Sequence, residues 1–434
     1  MKIIVIGGGP AGKTGAIEAA QIGEDVILIE KNQLGGKCLN EGCMVVSGLN
    51  DVAKFYKDSL KFKEFGITNH SVEVDFEKLA EGVKETIKKI RAVHEVEIEE
   101  AGVEVLKGDA EVKGDKVIFE NENISYDKLI IATGAGANIP PITGSEHGKS
   151  YPDILNFKKT PEKLIIIGSG LIAAEFASIF SMFGSEVHVL CRSQFLKMLE
   201  TDIKSYVVKK LLNNVDIQEN IQVEQIDKYG VNTNEGRLDG KVLFATGMKP
   251  NSDVVKDVVD LGRKGDILVN QQMQTSHQHI YAAGDVVDTI GTTPVARMEG
   301  VVAARNACGI FAEADYRIIP GSISLYYDVA YINQNIDKTQ DNSSINGSIP
   351  GFAGPGSFWN VLDRNTGFTK IKVDSESGAI RDISSISPSA RTSIAYLVQM
   401  MRDDYKSHDF DGFIETHPST DPVYKLLRLF AKFG

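Results

Sequence analysis

Cysteine is scarce in this chain, with four among 434 residues, at positions 38, 43, 191 and 308. So few cannot staple a fold, which excludes a disulfide-built scaffold and leads us to expect a reducing, cytoplasmic setting. Basic residues are also short, 47 Lys and Arg against 59 Asp and Glu, for a net charge of −12. That deficit excludes a phosphate-tracking nucleic-acid binder and a polybasic membrane patch. Long apolar runs are missing too. Ile3 to Ile6 is broken at once by Gly7, so no secretory signal is expected. Leu164 to Gly184 has spanning length but contains Gly168, Gly170 and Glu175, and reads better as strand, turn and helix. No membrane association is expected.

What is present is ordinary for a globular protein: 42% apolar and 24% charged residues exclude a disordered or fibrous chain. The length exceeds one ordinary core and calls for several domains. Glycine is abundant at 41, in keeping with tight turns and close backbone approach to ligands.

One pattern occurs twice. Ile3-Ile4-Val5-Ile6 leads into Gly7-Gly8-Gly9-Pro10-Ala11-Gly12 and an apolar helix, and Leu164 to Ile167 leads into Gly168-Ser169-Gly170-Leu171-Ile172-Ala173 and another. A second apolar strand follows each, Asp25 to Ile29 and Glu186 to Leu190, and the interval from first Gly to the strand's end is 7 to 30 and 168 to 191. A strand before, a helix after and a matched second strand turn a weak motif into a strong one. In each copy the first Gly permits the turn, the second lets backbone approach a diphosphate, and the third (Gly12, or Ala173 in the second copy) keeps the helix near the sheet. Helix-start N–H groups then face the phosphates. Glu30 stands where a carboxylate accepts from a ribose diol. In the second copy that place is Cys191, followed by Arg192. Loss of the carboxylate and an adjacent guanidinium favour a 2′-phosphorylated ribose, hence NADPH over NADH, against the alternative of a surface arginine without ligand.

Two further motifs need weighing. Gly7 to Thr14 also satisfies Gly-x-x-x-x-Gly-Lys-Thr, the phosphate loop of nucleotide triphosphatases, with Lys13 on phosphate and Thr14 on magnesium. Glu30, the absence of Gly-Lys-Thr from the second copy and the lack of a strand ending in a magnesium-binding Asp oppose that reading. Gly35-Gly36-Lys37-Cys38-Leu39-Asn40-Glu41-Gly42-Cys43 sets two cysteines five residues apart at a bend entering a helix. Such a pair can close a small ring, and a helix N-terminus lowers a thiol's pKa. A metal site would need further Cys or His at regular spacing, and none stands nearby, so no metal is expected. A redox-active pair is the best reading.

These residues, with Ala132-Thr133-Gly134, Ala245-Thr246-Gly247, Ala283-Gly284-Asp285, Thr293-Pro294-Val295-Ala296 and Thr416-His417-Pro418, resemble the pyridine nucleotide–disulfide oxidoreductases, nearest the dihydrolipoamide dehydrogenase branch. The resemblance spans nearly the whole chain, and the double-cysteine run is its most specific part. It implies an α/β fold: two Rossmann-like dinucleotide-binding domains and a C-terminal α+β dimerisation domain. The expected boundaries are 1–145 and 263–314 for the FAD domain, 146–262 for the NAD(P) domain, and 315–434 for dimerisation. It implies FAD held by Gly7, Gly9, Gly12, Glu30, Gly36, Lys37, Ala110, Thr133, Gly134, Asp285 and Ala296, with Asp285 on the ribityl chain. NAD(P)H would lie on Gly168, Gly170, Arg192 and Gly247. Electrons would pass between nicotinamide, flavin and the Cys38–Cys43 disulfide to a disulfide or dithiol substrate. Cys43 would face the flavin and Cys38 the substrate, and His417 would act as acid/base in the partner subunit of a homodimer.

The sequence departs from the family's pattern twice. Gly42-Cys43-Met44-Val45-Val46-Ser47 replaces Gly-Cys-x-Pro-Ser-Lys, so Glu175, which the family pairs with that lysine, needs another partner or must take up a proton. Lys54, two turns beyond Ser47, is one possible source of charge. After His417, Pro422 occupies the place of the orienting Glu, with Asp421 one residue early. These changes motivate a second reading, a flavoprotein redox sensor with weakened turnover. No cysteine follows Cys308, which argues against enzymes that use a C-terminal cysteine pair; Cys308 itself reads as packing in an apolar helix, and Cys191 as buried beside the nucleotide. Thr369, Ile371 and Val373 read as one half-buried strand, Lys338 to Ser348 as a polar loop, and Ile394 to Met401 as an interface helix.

Overall fold

Strand Lys2–Ile6 carries apolar side chains on both faces, and Ile3, Ile4 and Val5 are fully buried: Ile3 and Val5 pack on the side of helices Pro10–Ile22 and Thr293–Ala307, and Ile4 packs with Val112 and Val117 of a small antiparallel sheet on the other side. The computed structural model describes residues 1–68, 72–255, 257–334, 344–420 and 422–433. The first sheet is parallel, in the order Ile280–Ala282, Lys128–Ile131, Lys2–Ile6, Asp25–Glu30, Glu104–Lys107. Helix α1 (Pro10–Ile22) begins with Pro10, whose missing N–H costs nothing there, and stops at Gly23 in the left-handed region. Helices α2 (Gly36–Asn40), α3 (Cys43–Ser59) and α4 (Phe76–Glu100) follow. The Asp75 carboxylate caps α4 by accepting from the Lys78 N–H at 3.1 Å.

The second parallel sheet runs Val215–Glu219, Glu186–Cys191, Lys163–Ile167, Lys241–Phe244, Lys149–Ser150, with α5 (Leu171–Met182) and α6 (Thr201–Tyr206). Each parallel sheet has a small antiparallel companion, 110–125 for the first and 223–239 for the second. A two-stranded ribbon, Ala135–Ala137 against Met248–Pro250, ties the halves together. The chain then returns to the first sheet: Ile280–Ala282 adds its edge, and α7 (Thr293–Ala307) packs on α1. Small residues allow this approach, since a Cβ on Gly300 would lie 2.2 Å from the Ala11 carbonyl oxygen. The last unit is an antiparallel sheet, Ile318–Ser324, Asp328–Gln334, Ile380–Ser387, Phe368–Asp374, Ser344–Pro350, backed by α8 (Ala390–Arg402) and α9 (Val423–Phe433). The α/β class with two Rossmann-like sheets and a C-terminal α+β unit follows the sequence expectation. So does the alternating strand Phe368–Asp374, in which Thr369, Ile371 and Val373 are buried.

Two expectations need correction. Part of Lys338 to Ser348 lies outside the described residues, but Ser344–Pro350 is a strand rather than a loop, paired with Phe368–Asp374. An edge strand is held by backbone hydrogen bonds, so its mostly solvated side chains give no apolar signal. The helix around Ile394 to Met401 does not spare its apolar face for an interface: Ile394, Leu397, Val398 and Met401 are buried in their own subunit's core. No helix among the described residues is long and apolar enough to cross a membrane.

The first glycine loop leaves no room for a side chain at Gly7 or Gly12. Gly7 has φ +107°, and a Cβ on Gly12 would stand 1.8 Å from the Gly7 carbonyl oxygen. Gly12→Ala is therefore expected to destabilise the protein by about 3 kcal/mol and to lower its flavin content. Urea denaturation with an unchanged midpoint would refute this account of the loop.

Candidate functional site

The two glycine loops occupy equivalent places. Gly7 N–H donates to the Ile29 carbonyl at 2.8 Å, and Gly168 N–H to the Leu190 carbonyl at 3.0 Å, so each loop is pinned to the strand that follows its helix. In the first loop the Glu30 carboxylate accepts from the Gly8 N–H at 2.6 Å and the Asn32 N–H at 2.7 Å. It stands at the rim of a cleft of about 390 Å³ that Leu34, Glu95, Glu99, Val103 and Val105 also line. In the second loop Ala173 is fully buried, and Cys191 directs its thiol at the Gly168 carbonyl, 3.4 Å away. Burial pushes the Cys191 thiol up to about 12, so it is neutral, while Arg192 is exposed. Lys13 of the phosphate-loop alternative pairs with Glu97 on α4. Its ammonium is thus committed to a carboxylate, as suits a surface residue of the first turn.

The cysteines meet where α2 turns into α3. The N–H groups of Glu41 and Gly42 both donate to the Lys37 carbonyl, at 2.9 and 2.7 Å, folding Cys43 back over α2 as the first residue of α3. Both cysteines are free thiols, and they hydrogen-bond to each other. Cys43 Sγ also lies 3.8 Å from the Thr293 hydroxyl on α7. The hydrogen bond from Cys43 brings Cys38 down to about 6, helped by Thr293 and by the Arg297 guanidinium, against burial and Asp285. The same bond, with burial and the Cys38 charge, raises Cys43. The pair as a unit loses one proton easily and the second reluctantly. Near neutral pH it holds one thiolate, stabilised by the remaining thiol.

Polar groups from distant segments surround this dithiol. Lys37 donates to the Tyr151 hydroxyl at 3.3 Å and sits in the field of Asp285; burial lowers its pKa and pushes Tyr151 up to about 12. The Asp285 carboxylate is raised by burial and accepts no hydrogen bond among the described residues. Its turn is held by buried Glu299, which accepts from the Gly284 N–H at 2.7 Å and the Tyr316 hydroxyl at 2.8 Å. Thr133 donates to the Asn251 carbonyl at 2.7 Å and Gly134 O accepts from the Asn251 N–H at 2.9 Å, so the Ala-Thr-Gly segment braces the ribbon between the halves. Gly247 belongs to the same brace, accepting from the Asn138 N–H at 3.0 Å. Gly9 and Gly36 touch across the loop, Ala296 is buried in the first turn of α7, and Ala110 is half-buried in the small antiparallel sheet.

Glu175 has a partner of its own. Its carboxylate accepts from the Ser324 N–H at 2.9 Å, and burial lifts its pKa to about 7 despite that bond, with Cys43 raising it and Arg391 lowering it. Arg391 on α8 donates to the Ser324 hydroxyl and pairs with Asp328 at 3.2 Å. Lys54 reaches Asp328 at 3.8 Å rather than Glu175. The missing lysine is thus replaced by a backbone N–H backed by an arginine from the C-terminal unit. His417 is exposed, and among the described residues nothing in its own chain links it to Cys38 or Cys43. Asp421 lies outside the described residues. Thr293 falls within a segment singled out in the sequence, though not for contact with the cysteines, while Arg297, Ser324 and Arg391 carried no sequence signal, because each reaches the site from another part of the chain. Cys308 caps α7, half-buried against the core, its pKa pushed up to about 11 by burial.

The family model for pyridine nucleotide-disulphide oxidoreductases matches residues 1–300. The chain belongs to this family. It is 30% identical over 438 residues to an uncharacterized protein of Methanocaldococcus jannaschii, covering 99% of this chain and 98% of that one. It is 28% identical over 445 residues to a dihydrolipoyl dehydrogenase of Bacillus subtilis, covering 96% of each. The crystal structure of LpdA from Mycobacterium tuberculosis shares the fold, with TM-score 0.88 and 19% identity over 100% of this chain and 99% of that chain. The protein is therefore a flavin-dependent oxidoreductase of disulfides, using FAD and a pyridine nucleotide. The residues present suit the flavin. The glycine loop and Glu30 frame a cleft fit for an adenosine, and Asp285 offers an unbonded, half-buried carboxylate to a polyol chain. Among the described residues no cluster of three or more His, Cys, Asp or Glu could hold a metal ion.

Proposed function

We propose that the protein is an NAD(P)H:disulfide oxidoreductase resembling dihydrolipoamide dehydrogenase, with Cys38 and Cys43 as its redox pair. The observation that carries this reading is the hydrogen-bonded dithiol whose first proton leaves near neutral pH. Bound flavin supplies two-electron transfer between the nicotinamide and the cysteine pair. The chain's own contribution is to bind and poise. Gly7, Gly9, Gly12, Glu30, Gly36, Lys37, Ala110, Thr133, Gly134, Asp285 and Ala296 hold the flavin, from units 1–145 and 263–314. Gly168, Gly170, Arg192 and Gly247, in unit 146–262, hold the nicotinamide nucleotide. Cys38 acts as thiolate toward the substrate, and Cys43, at the N-terminus of α3 and beside Thr293, faces the flavin. His417 serves the partner subunit's dithiol as acid/base, through a dimer built on residues 315–434. Only four cysteines in so long a chain suit a cytoplasmic protein.

Anaerobic titration with NADPH or NADH, followed by addition of disulfides, tests the reading. The expected result is a flavin–thiolate absorption band and disulfide-dependent oxidation of the nucleotide. A bound flavin with neither leaves the redox-sensor reading, which Ser47 and the unusual setting of Glu175 favour. The nucleotide preference rests on exposed Arg192 beside a neutral Cys191. Arg192→Ala is expected to raise KM for NADPH about tenfold and leave NADH within about twofold, as loss of one charge-assisted contact would do. Equal effects on both nucleotides would remove Arg192 from that role.

A further inference from the structure

The hairpin turn joining Ile318–Ser324 to Asp328–Gln334, in the C-terminal unit, is gripped by three helices. From α3, Asn50 donates to the Leu325 carbonyl at 3.1 Å, Lys54 pairs with Asp328 at 3.8 Å, and Asp58 accepts from the Tyr326 hydroxyl at 2.7 Å. Residues 43, 47, 50, 54 and 58 share one face of a helix, so the face that begins with Cys43 and Ser47 runs onto this turn. Asn50 lies about 10 Å along the axis from Cys43. From α5, which starts at the second glycine loop and packs on α3, Glu175 accepts from both the N–H and the hydroxyl of Ser324, the first at 2.9 Å. From α8, Arg391 donates to that same hydroxyl and pairs with Asp328 at 3.2 Å. The charged and titratable groups facing Glu175 are therefore Cys43 from α3 and Arg391 from α8, with Asp328, Lys54 and Asp51 behind the arginine.

We propose that Arg391 is a positioning residue of the redox centre: acting through the Ser324 hydroxyl, it fixes Glu175 between α5 and α3 and supplies the positive charge that Ser47 does not. The proposal rests on the oxidoreductase reading and adds to it a residue of the C-terminal unit. A serine hydroxyl can accept from a guanidinium and donate to a carboxylate at once, so the two charges are joined by consecutive charge-assisted hydrogen bonds. Reduction of the Cys38–Cys43 disulfide makes this balance matter. Near neutral pH two electrons and one proton turn the disulfide into one thiol and one thiolate, a net gain of one negative charge. The pyridine nucleotide supplies the electrons. An ionised Glu175 on the Cys43 face opposes that gain, and a cation fixed behind the carboxylate offsets it. Without Arg391 the carboxyl keeps its proton to higher pH and its place is no longer set by the turn.

Two measurements on the flavin-loaded protein test this, one of them independent of activity. The stability difference between Glu175→Gln and its parent, followed by urea denaturation, grows with pH until the folded carboxyl ionises and then levels off. In an Arg391→Gln background that levelling should move up by about one pH unit. Arg391→Lys should leave it nearly in place, and adding Ser47→Lys to Arg391→Gln should bring it back. In stopped-flow reduction by NADPH, Arg391→Gln should lower the saturating rate about fivefold while half-saturation stays within about twofold. Ser47→Lys should recover much of that rate. A levelling that Arg391→Gln does not move, with an unchanged rate, overturns the inference and leaves the oxidoreductase reading intact. Equal losses in Arg391→Gln and Arg391→Lys, or no recovery with Ser47→Lys, overturn it too, because the arginine would then serve packing alone. Should Arg391→Gln fail to fold, Ser324→Ala replaces it, since it removes the hydroxyl link and keeps the N–H. It should move the levelling the same way, and an unmoved one overturns the inference. A parent protein that neither nucleotide reduces overturns the oxidoreductase reading, while the stability titration still decides whether Arg391 governs Glu175.

Discussion

Cys38→Ser is expected to lower disulfide-dependent nucleotide oxidation by at least about a thousandfold while leaving flavin bound. The nucleophile is the thiolate, and the site is built to hold one near neutral pH: Cys43 and Thr293 donate to it and Arg297 stabilises its charge. A serine hydroxyl in the same place has no accessible anion. It also cannot form the second sulfur bond needed to regenerate an intramolecular disulfide. Cys43→Ser should fail differently. Cys38 would still attack, although without the hydrogen bond that most lowers its pKa, and the mixed disulfide could not be resolved by a second thiol. Intact-protein mass spectrometry should then find half of the substrate attached to Cys38. Normal turnover by Cys38→Ser would mean that the pair is not the route to substrate.

The second large effect concerns Glu175, whose carboxyl burial holds at about 7, well above its ordinary value of 4.5. Below about pH 4.5 the group is protonated whether the chain is folded or unfolded, and it adds no penalty. As pH rises through the interval to about 7, the unfolded carboxyl ionises while the buried one keeps its proton, so folding loses stability. Above about 7 the whole penalty is present, about 3 kcal/mol on the usual conversion. Glu175→Gln keeps an acceptor for the Ser324 N–H but cannot ionise. It should therefore be the more stable protein at pH 8, by up to that amount, and indistinguishable from the parent at pH 4.5. Ser47→Lys should act in the opposite sense on the titration, pulling the carboxyl down by supplying a cation beside it. Parallel denaturation midpoints across this pH range for parent and Glu175→Gln would contradict the account.

The parts of the site that were legible in the sequence are those whose chemistry is local. Gly7, Gly9 and Gly12 announce a loop because their spacing is set by one turn and one helix start, and Glu30 follows at the end of the next strand. Cys38 and Cys43 are likewise neighbours on one bend. The departure at Ser47 was legible as an absence, but its compensation was not. Ser324 and Arg391 come from a strand and a helix far along the chain, and only tertiary packing carries them to Glu175. Arg297 belongs to the same class: the motif around Thr293 to Ala296 pointed to the helix start, while the residue just beyond it tunes Cys38. The fold was legible where strands are buried on both faces, as at Ile3 to Ile6. It was misread at Ser344–Pro350, a polar edge strand, and at α8, whose apolar stripe looks the same whether a subunit or its own sheet covers it.

The edge strand Ile280–Ala282 has a consequence for how the protein is made. It completes the first sheet beside Lys128–Ile131, yet it is encoded after the entire second sheet. On the ribosome the opening half of the chain therefore emerges with Leu129, Ile130 and Ile131 lying along an unpaired margin. That margin stays open until some 150 further residues have been synthesised, a wait of roughly ten to thirty seconds at ordinary elongation rates. During that time the nascent chain presents a template for mispairing with its neighbours. Heterologous expression that halts or is clipped before residue 282 should deliver insoluble material, and slower translation should lengthen the dependence on chaperones.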